Sequence, residues 1–356
     1  MPLKSLLIRL LLAVGLSAVI LIVFIIIQGA LFFPEHVKTL RTPAQTTIIR
    51  LSPISDGTSA VVLLRHQLCV TDDRLSTSVG VWSFDGGGCS FRKLPLNFTP
   101  FDAVGVRTGQ RLFVSSQEGR LYVVDLNSPA PQLHLLGIHG EGFMPTLECS
   151  DDGSIVFAAD RRVLAAWRPD PPALLWRRDD LDVNCACFSG QTSRLFCGMS
   201  GGNGCVLDGL TGKTLQAFRV HCSYPFAMDI SASEARLAAL NGDGTLIVSD
   251  LATNQPLWRK EFLRPAAEPR FSPDGEFLAA PSEDGKATLL VLSAATGQLH
   301  AELTGATSRI AGIAWLENRV VCAWDDSGTI TAWNVTSRSL LRQFSVECLA
   351  TNTGSS

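Results

Sequence analysis

The sequence predicts an all-β fold, a ring of seven four-stranded antiparallel sheets preceded by one N-terminal transmembrane helix, and three observations carry it. The first is a pattern duplicated within residues 268–344. One copy holds Phe271-Ser272-Pro273-Asp274-Gly275, Phe277-Leu278-Ala279-Ala280 and Glu283-Asp284-Gly285, then an apolar run over 288–292 and the turn Ala295-Thr296-Gly297. The next holds Ile313-Ala314-Trp315, Val320-Val321-Cys322-Ala323-Trp324, Asp325-Asp326-Ser327-Gly328 and Thr329-Ile330-Thr331-Ala332-Trp333-Asn334. The second observation is the chemistry of the joints, because Asp-Gly supplies the positive φ of a tight hairpin turn without a Cβ clash. The third is the period. The residue closing the third strand recurs at Asp85, Asp125, Arg168, Asp208, Asp250, Ser293 and Asn334, at intervals of 40, 43, 40, 42, 43 and 41 residues. Seven units near this length match the blades of a β-propeller.

One four-stranded sheet cannot bury both its faces alone, so such units need neighbours of their own kind. On the residues above, the units resemble WD repeats, over roughly residues 46–346 and most closely in the last two units. That resemblance implies blades closed into a ring and a role in binding other proteins. The Trp-Asp signature itself appears nowhere; its nearest forms are Trp333-Asn334, Trp167-Arg168 and Phe84-Asp85. The Gly-His pair is missing too, with Gly137-Ile138-His139 and His221 near its place. Packing, rather than the family's buried Asp-His-Ser/Thr-Trp network, is therefore expected to hold the ring.

Taken in order, residues 1–9 form a short basic tail and residues 10–33 carry no charge. At about 1.5 Å per residue that run is long enough to cross a hydrocarbon core of about 30 Å. A cleaved signal peptide would have an apolar region of about 7–15 residues ending in small residues, and Gln28-Gly29-Ala30 is a poor site. The expectation is an uncleaved, single-pass signal anchor. Lys4 and Arg9 precede the span, and Lys38 and Arg41 follow it, so charge bias is weak. A short basic tail ahead of a first span places the propeller on the extracytoplasmic side. Residues 34–45 read as a polar linker and 347–356 as a C-terminal tail.

Within the ring, the first unit begins with strands over 46–51 and 61–64 and carries one polar insertion, 72–80, expected as an exposed loop. The second unit includes 111–115 and 121–125; the third includes 155–159, 163–167 and the Pro-rich turn 169–172. Residues 37–40 and 339–344 both qualify as the outermost strand of the last blade, which leaves closure open.

A net charge of −3 argues against nucleic acid as a partner, because phosphate binding needs a basic surface. A hydrophobic fraction of 46% against 18% charged residues supplies a large core. Cys185, Cys187, Cys197, Cys205 and Cys222 crowd one unit, and Cys185-Ala186-Cys187 sets two thiols on one face of a strand. They read as small buried fillers, as disulfides in an oxidising compartment, or as a metal site, although the C-x₂-C spacing of zinc knuckles is absent. No G-x-S-x-G elbow, H-E-x-x-H helix or phosphate loop occurs, residues 198–204 lacking the Gly-Lys-Ser/Thr ending. His66, His134 and His300 read as surface or packing residues, and Asn97-Phe98-Thr99 and Asn334-Val335-Thr336 match the glycosylation sequon. No catalytic residue, metal or cofactor is expected, and hence no enzyme.

Asp250-Leu251-Ala252-Thr253-Asn254-Gln255-Pro256-Leu257-Trp258 also resembles the tryptophan-docking turn of quinoprotein propellers, with Trp176 near the corresponding place in the third unit. This supports an alternative, a quinoprotein-like or envelope-assembly propeller on the extracytoplasmic side. In WD-repeat propellers the turns between second and third strands gather on one rim. Here they carry Asp72, Asp73, Glu118, Asp160, Asp243, Glu283, Asp284, Asp325 and Asp326, against Arg74, Arg120, Arg161, Arg162 and Lys286, an acidic excess of four. Asp is favoured in tight turns for its local hydrogen bonds, and a converging acidic rim also steers a basic protein segment. The expected function is a membrane-anchored, non-catalytic protein–protein interaction scaffold.

Overall fold

Alternation at period two divides every blade between its two neighbours. In the second strand of the first blade, Ser59–Gln67, Val61 and Leu63 enter one buried cluster while Ala60, Val62 and Leu64 enter another. Successive side chains of a strand point to opposite faces, so both faces of each sheet are apolar and each needs a partner. In the computed structural model this pattern closes on itself. The structure describes residues 45–54, 59–67, 75–85, 88–106, 111–127, 132–140, 146–160, 163–189, 191–221, 223–262, 267–282 and 287–345. These form seven four-stranded antiparallel sheets, each built from four consecutive strands. The blades cover residues 45–93, 100–138, 146–178, 183–219, 225–261, 270–303 and 310–345.

One buried cluster lies at each blade interface: one to two, two to three, three to four, four to five, five to six and six to seven. The last joins Ala314, Cys322, Trp324, Ile330 and Ala332 of blade seven to Ile48, Leu51, Ala60, Val62 and Leu64 of blade one. The ring therefore closes through side-chain packing. Ser339–Ser345 is the outermost strand of the last blade and pairs with Thr329–Asn334, which settles one of the two closure candidates; residues 37–40 lie outside the described residues.

The strand-closing markers fall on the last residue of the third strand in six blades, and one residue short of it at Arg168. Residues 75–80 are a correction. They are not loop but the first half of the strand Leu75–Asp85, with Ser78 and Val79 buried. Their serines and threonine masked a strand whose alternate residues Val79 and Val81 face the interface with blade two.

Two tryptophans pin neighbouring blades. Trp176 donates its indole N–H to the carbonyl of Gly209 at 2.7 Å, and Trp258 donates to Ala294 at 3.0 Å. Each indole lies over a glycine in the next blade's third-to-fourth turn, Gly212 (φ 68°) or Gly297 (φ 70°), where a Cβ would come within 2.6 or 2.7 Å of the ring. Glycine is required there twice over, for the positive φ and for the close approach. The docking turn read from the sequence is present in both places.

The expectation that packing alone holds the ring also needs correcting. His139 is fully buried, its Nε2 lies 3.1 Å from a carboxylate oxygen of Asp160, and its ring packs on Trp167. Burial lowers the pKa of His139 against the pull of Asp160, so a neutral imidazole donates this bond. The sequence hid the arrangement because the glycine stands two residues before the histidine; a Cβ on Gly137 would come within 2.5 Å of the Trp167 indole nitrogen.

Candidate partner-binding face and axial charge cluster

The turns between second and third strands share one end of the ring with the loops that lead from each outer strand to the next inner strand. Backbone hydrogen bonds tie the two sets together: Gln117 N–H to Thr99 O, Gly201 to Ser223, Gly242 to Tyr224 and Asp326 to Arg309. Of the carboxylates placed on this rim by sequence, Glu118 and Asp243 are exposed. Hydrogen bonds hold both below the usual carboxylate range, from Ser116 for Glu118 and from the Thr245 backbone for Asp243. Asp160 is committed to His139, and Asp326 accepts from Arg309 Nε at 2.8 Å. Asp325 is 1% exposed and serves as an internal acceptor for the Thr307, Ser308, Ser327 and Thr329 amides and the Thr307 and Ser327 hydroxyls. It fastens the loop before blade seven to its own turn. Asp72, Asp73, Glu283 and Asp284 lie outside the described residues. The connecting loops add Asp179, Asp180, Asp182 and Glu268 to the same face, all exposed, with Asp180 paired to Arg178.

A second cluster was not anticipated. The inner strands of neighbouring blades run side by side around the ring axis, and they carry charges in otherwise apolar runs. Arg50 in Gln45–Ile54 donates from Nη1 to Asp102 Oδ2 at 2.6 Å and to the Leu147 carbonyl at 2.8 Å, and from Nη2 to Glu148 Oε1 at 2.9 Å. One side chain thus ties blade one to blades two and three. Further round, Arg270 donates to Glu268 at 2.5 Å and lies 3.7 Å from Asp229, whose other oxygen accepts the Phe271 N–H at 2.6 Å. Asp102 and Asp229 play the same part in different blades, each accepting a backbone N–H from the next blade's inner strand. Burial raises Asp102 despite Arg50, and pushes Asp229 up to about 6 against the pull of Arg270. Burial opposes the charge on Arg50, but Asp102 and Glu148 outweigh it and raise its pKa. Among the described residues of this cluster, four carboxylates (Asp102, Glu148, Asp229, Glu268) meet two guanidiniums, Arg50 and Arg270. The available signal was a charged residue inside an apolar first strand, as in Ile48-Ile49-Arg50-Leu51 or Met228-Asp229-Ile230, repeated in several units.

Cys149, Cys185, Cys187, Cys197, Cys205 and Cys322 are free thiols. Cys185 and Cys187 share the face of Val183–Ser189 toward blade five, as their spacing predicts. Cys197 and Cys205 are directly paired across neighbouring strands inside the interface between blades three and four. Burial raises the Cys187 thiol well above its ordinary range. Cys187, Cys197 and Cys205 are buried in these interfaces, and among the described residues no three of His, Cys, Asp and Glu converge as metal ligands. An apolar crevice between blades five and six, lined by Leu240, Leu246, Phe262, Ala267, Pro269, Ala280 and Pro281, offers no polar group to orient a substrate.

Fold and site together define a seven-bladed β-propeller with exposed carboxylates at one end and ion pairs at its axis. Compared with known proteins, the chain matches no family model and no curated sequence.

Proposed function

We propose that this chain is a WD-repeat-type propeller acting as a non-catalytic scaffold that binds a protein partner, held at a membrane by residues 10–33. The observation that carries the reading is the common location of Glu118, Asp179, Asp182 and Asp243 on one face, around an axis where carboxylates outnumber guanidiniums. Such a field steers a basic segment toward it and disfavours phosphate-rich ligands. The resemblance to WD repeats supports the same use, although a fold alone does not fix a function.

The test for the face is a triple amide variant, Glu118→Gln, Asp182→Asn and Asp243→Asn, which keeps turn chemistry largely intact and removes three of these exposed charges. Association with a partner recovered by affinity capture should slow about tenfold at low ionic strength and lose most of its salt dependence. An unchanged rate would reduce the rim to turn chemistry. For the anchor, the mature chain should keep its N-terminus and stay with membranes through carbonate extraction; recovery of a chain starting near residue 31 would make it a secreted propeller instead. No helix among the described residues is long and apolar enough to cross a membrane, and residues 10–33 lie outside them.

A second reading is favoured by the docked Trp176 and Trp258: a quinoprotein-like or envelope-assembly propeller on the extracytoplasmic side. Cofactor absorbance in the purified protein would favour the first of these two over a scaffold.

A further inference from the structure

The inner strands share an irregularity at the end nearest the acidic face. Register shifts fall between Pro100 and Asp102, Val183 and Cys185, Pro225 and Ala227, and Ile310 and Gly312. In blades two, four, five and seven one extra residue is therefore inserted where the strand enters the ring: Phe101, Asn184, Phe226 and Ala311. A bulge leaves its extra residue out of the ladder and re-aims its side chain. At Phe226 the consequence is visible. Ala227 and Met228 pack into the interfaces on either side of blade five, whereas Phe226 belongs to neither and is 51% exposed. Two residues earlier, Tyr224 is 44% exposed on a backbone fixed at both ends, its N–H on Asn241 Oδ1 at 2.9 Å and its carbonyl on the Gly242 N–H at 3.1 Å.

Two exposed aromatic rings two residues apart offer a contact surface, and the charges around them select what fits it. Asp243 follows Gly242 in the turn bonded to Tyr224, and Asp182 leads into the neighbouring inner strand. Asp229, three residues further along the same strand as Phe226, is already beside Arg270 at 3.7 Å, and Glu148 is held by Arg50 at 2.9 Å, so the exposed Asp243 and Asp182 are the carboxylates open to a ligand here. Exposed rings with exposed carboxylates on the adjoining turn and strand suit a guanidinium, which stacks on a ring and pairs with a carboxylate at once. They repel phosphate, which sets aside nucleic acid and anionic lipid.

We propose that the mouth beside Phe226 and Tyr224 is a docking site for an arginine-bearing segment of a partner protein, the arginine lying against Phe226 with Asp243 and Asp182 as its carboxylate partners. This rests on the acidic-face reading and gives it a centre, in blades four and five rather than six and seven.

The experiment uses the full-length chain in detergent micelles and a fluorescein-labelled (Gly-Arg)₄ peptide, followed by anisotropy at low salt. Phe226→Ala should weaken binding about five- to tenfold, and Phe226→Tyr, which keeps the ring, should restore it. A lysine peptide of the same length should bind the wild type more weakly and be insensitive to Phe226→Ala. Thermal unfolding of each variant checks the fold, which a half-exposed side chain should not disturb. Equal binding by wild type and Phe226→Ala would overturn the docking site while leaving the acidic face standing. Loss of binding in Phe226→Tyr as well as Phe226→Ala would show that the ring face is not what the peptide uses, and overturn it too. A wild type that binds neither peptide would overturn the acidic-face reading, and this inference with it.

Discussion

Replacing Trp333 by alanine is expected to cost about 3–5 kcal/mol of unfolding free energy, the range for truncating a buried aromatic ring. Trp333 is 1% exposed and sits in the third strand of blade seven, Thr329–Asn334. Its ring packs among Leu303, Ile313, Trp315 and Val321 at the interface with blade six. Its indole N–H reaches the Thr304 carbonyl at 2.7 Å, in the loop that leaves blade six. Alanine would remove the ring and orphan that carbonyl, so transfer, cavity and hydrogen-bond losses act together. Urea unfolding followed by circular dichroism measures the loss. Leu210→Ala is the contrast, because its side chain is 59% exposed and should stay within about 0.5–1 kcal/mol of the parent. A Trp333 loss below about 1 kcal/mol would mean the blade six–seven interface does not depend on this ring.

Period and turn chemistry made the blades legible because they are local. Asp208 through Lys213 and Asp250 through Gln255 each announce the end of a strand without reference to anything distant. Residues 75–80 read as loop for the same reason: a polar composition resembles a loop until the partner face is known, and here it is the first half of the strand Leu75–Asp85. Closure is open in the sequence because residues 37–40 and 339–344 have similar strand character; pairing with Thr329–Asn334 makes Ser339–Ser345 the outermost strand.

The site was less legible, since a turn residue's chemistry depends on what lies across from it. Asp325 and Asp326 are adjacent and identical in type, yet one is an internal acceptor buried at 1% and the other has a side chain 44% exposed and paired with Arg309. Likewise nothing local to Arg50 tells that Asp102 and Glu148, fifty and a hundred residues away, meet it at the axis; ring closure brings them together.

That axial contact sets the other large expectation. Arg50→Met should destabilise the ring by about 3–5 kcal/mol at pH 8, because removing one partner of a buried pair leaves the other charge uncompensated. The exposed partner is not the costly one: the Glu148 side chain is 35% exposed and can hydrate, whereas Asp102 is 5% exposed. Asp102 would keep the amides of Leu147 at 2.7 Å and Ala103 at 2.8 Å but lose its only cation contact within ion-pair distance among the described residues. The pH dependence follows from sign. Asp102 and Asp229 are both raised in the folded state, Asp229 to about 6, above an unfolded value of about 3.9. The folded protein therefore binds protons more readily, and each group subtracts stability as pH rises from about 4 through its folded pKa. Without Arg50 the Asp102 value moves further up, so protonation at acidic pH relieves more of the cost in the variant than in the parent. The gap between the two should accordingly be smaller at pH 5 than at pH 8, read by urea unfolding at both. Adding Asp102→Asn to Arg50→Met removes the stranded charge and should recover most of the loss at pH 8 while flattening the pH dependence. That double variant also keeps the question answerable if Arg50→Met alone does not fold. A gap that is the same at both pH values, or a double variant no more stable than Arg50→Met, would show that Arg50 acts through packing of its aliphatic stem and not through the charge it holds against Asp102.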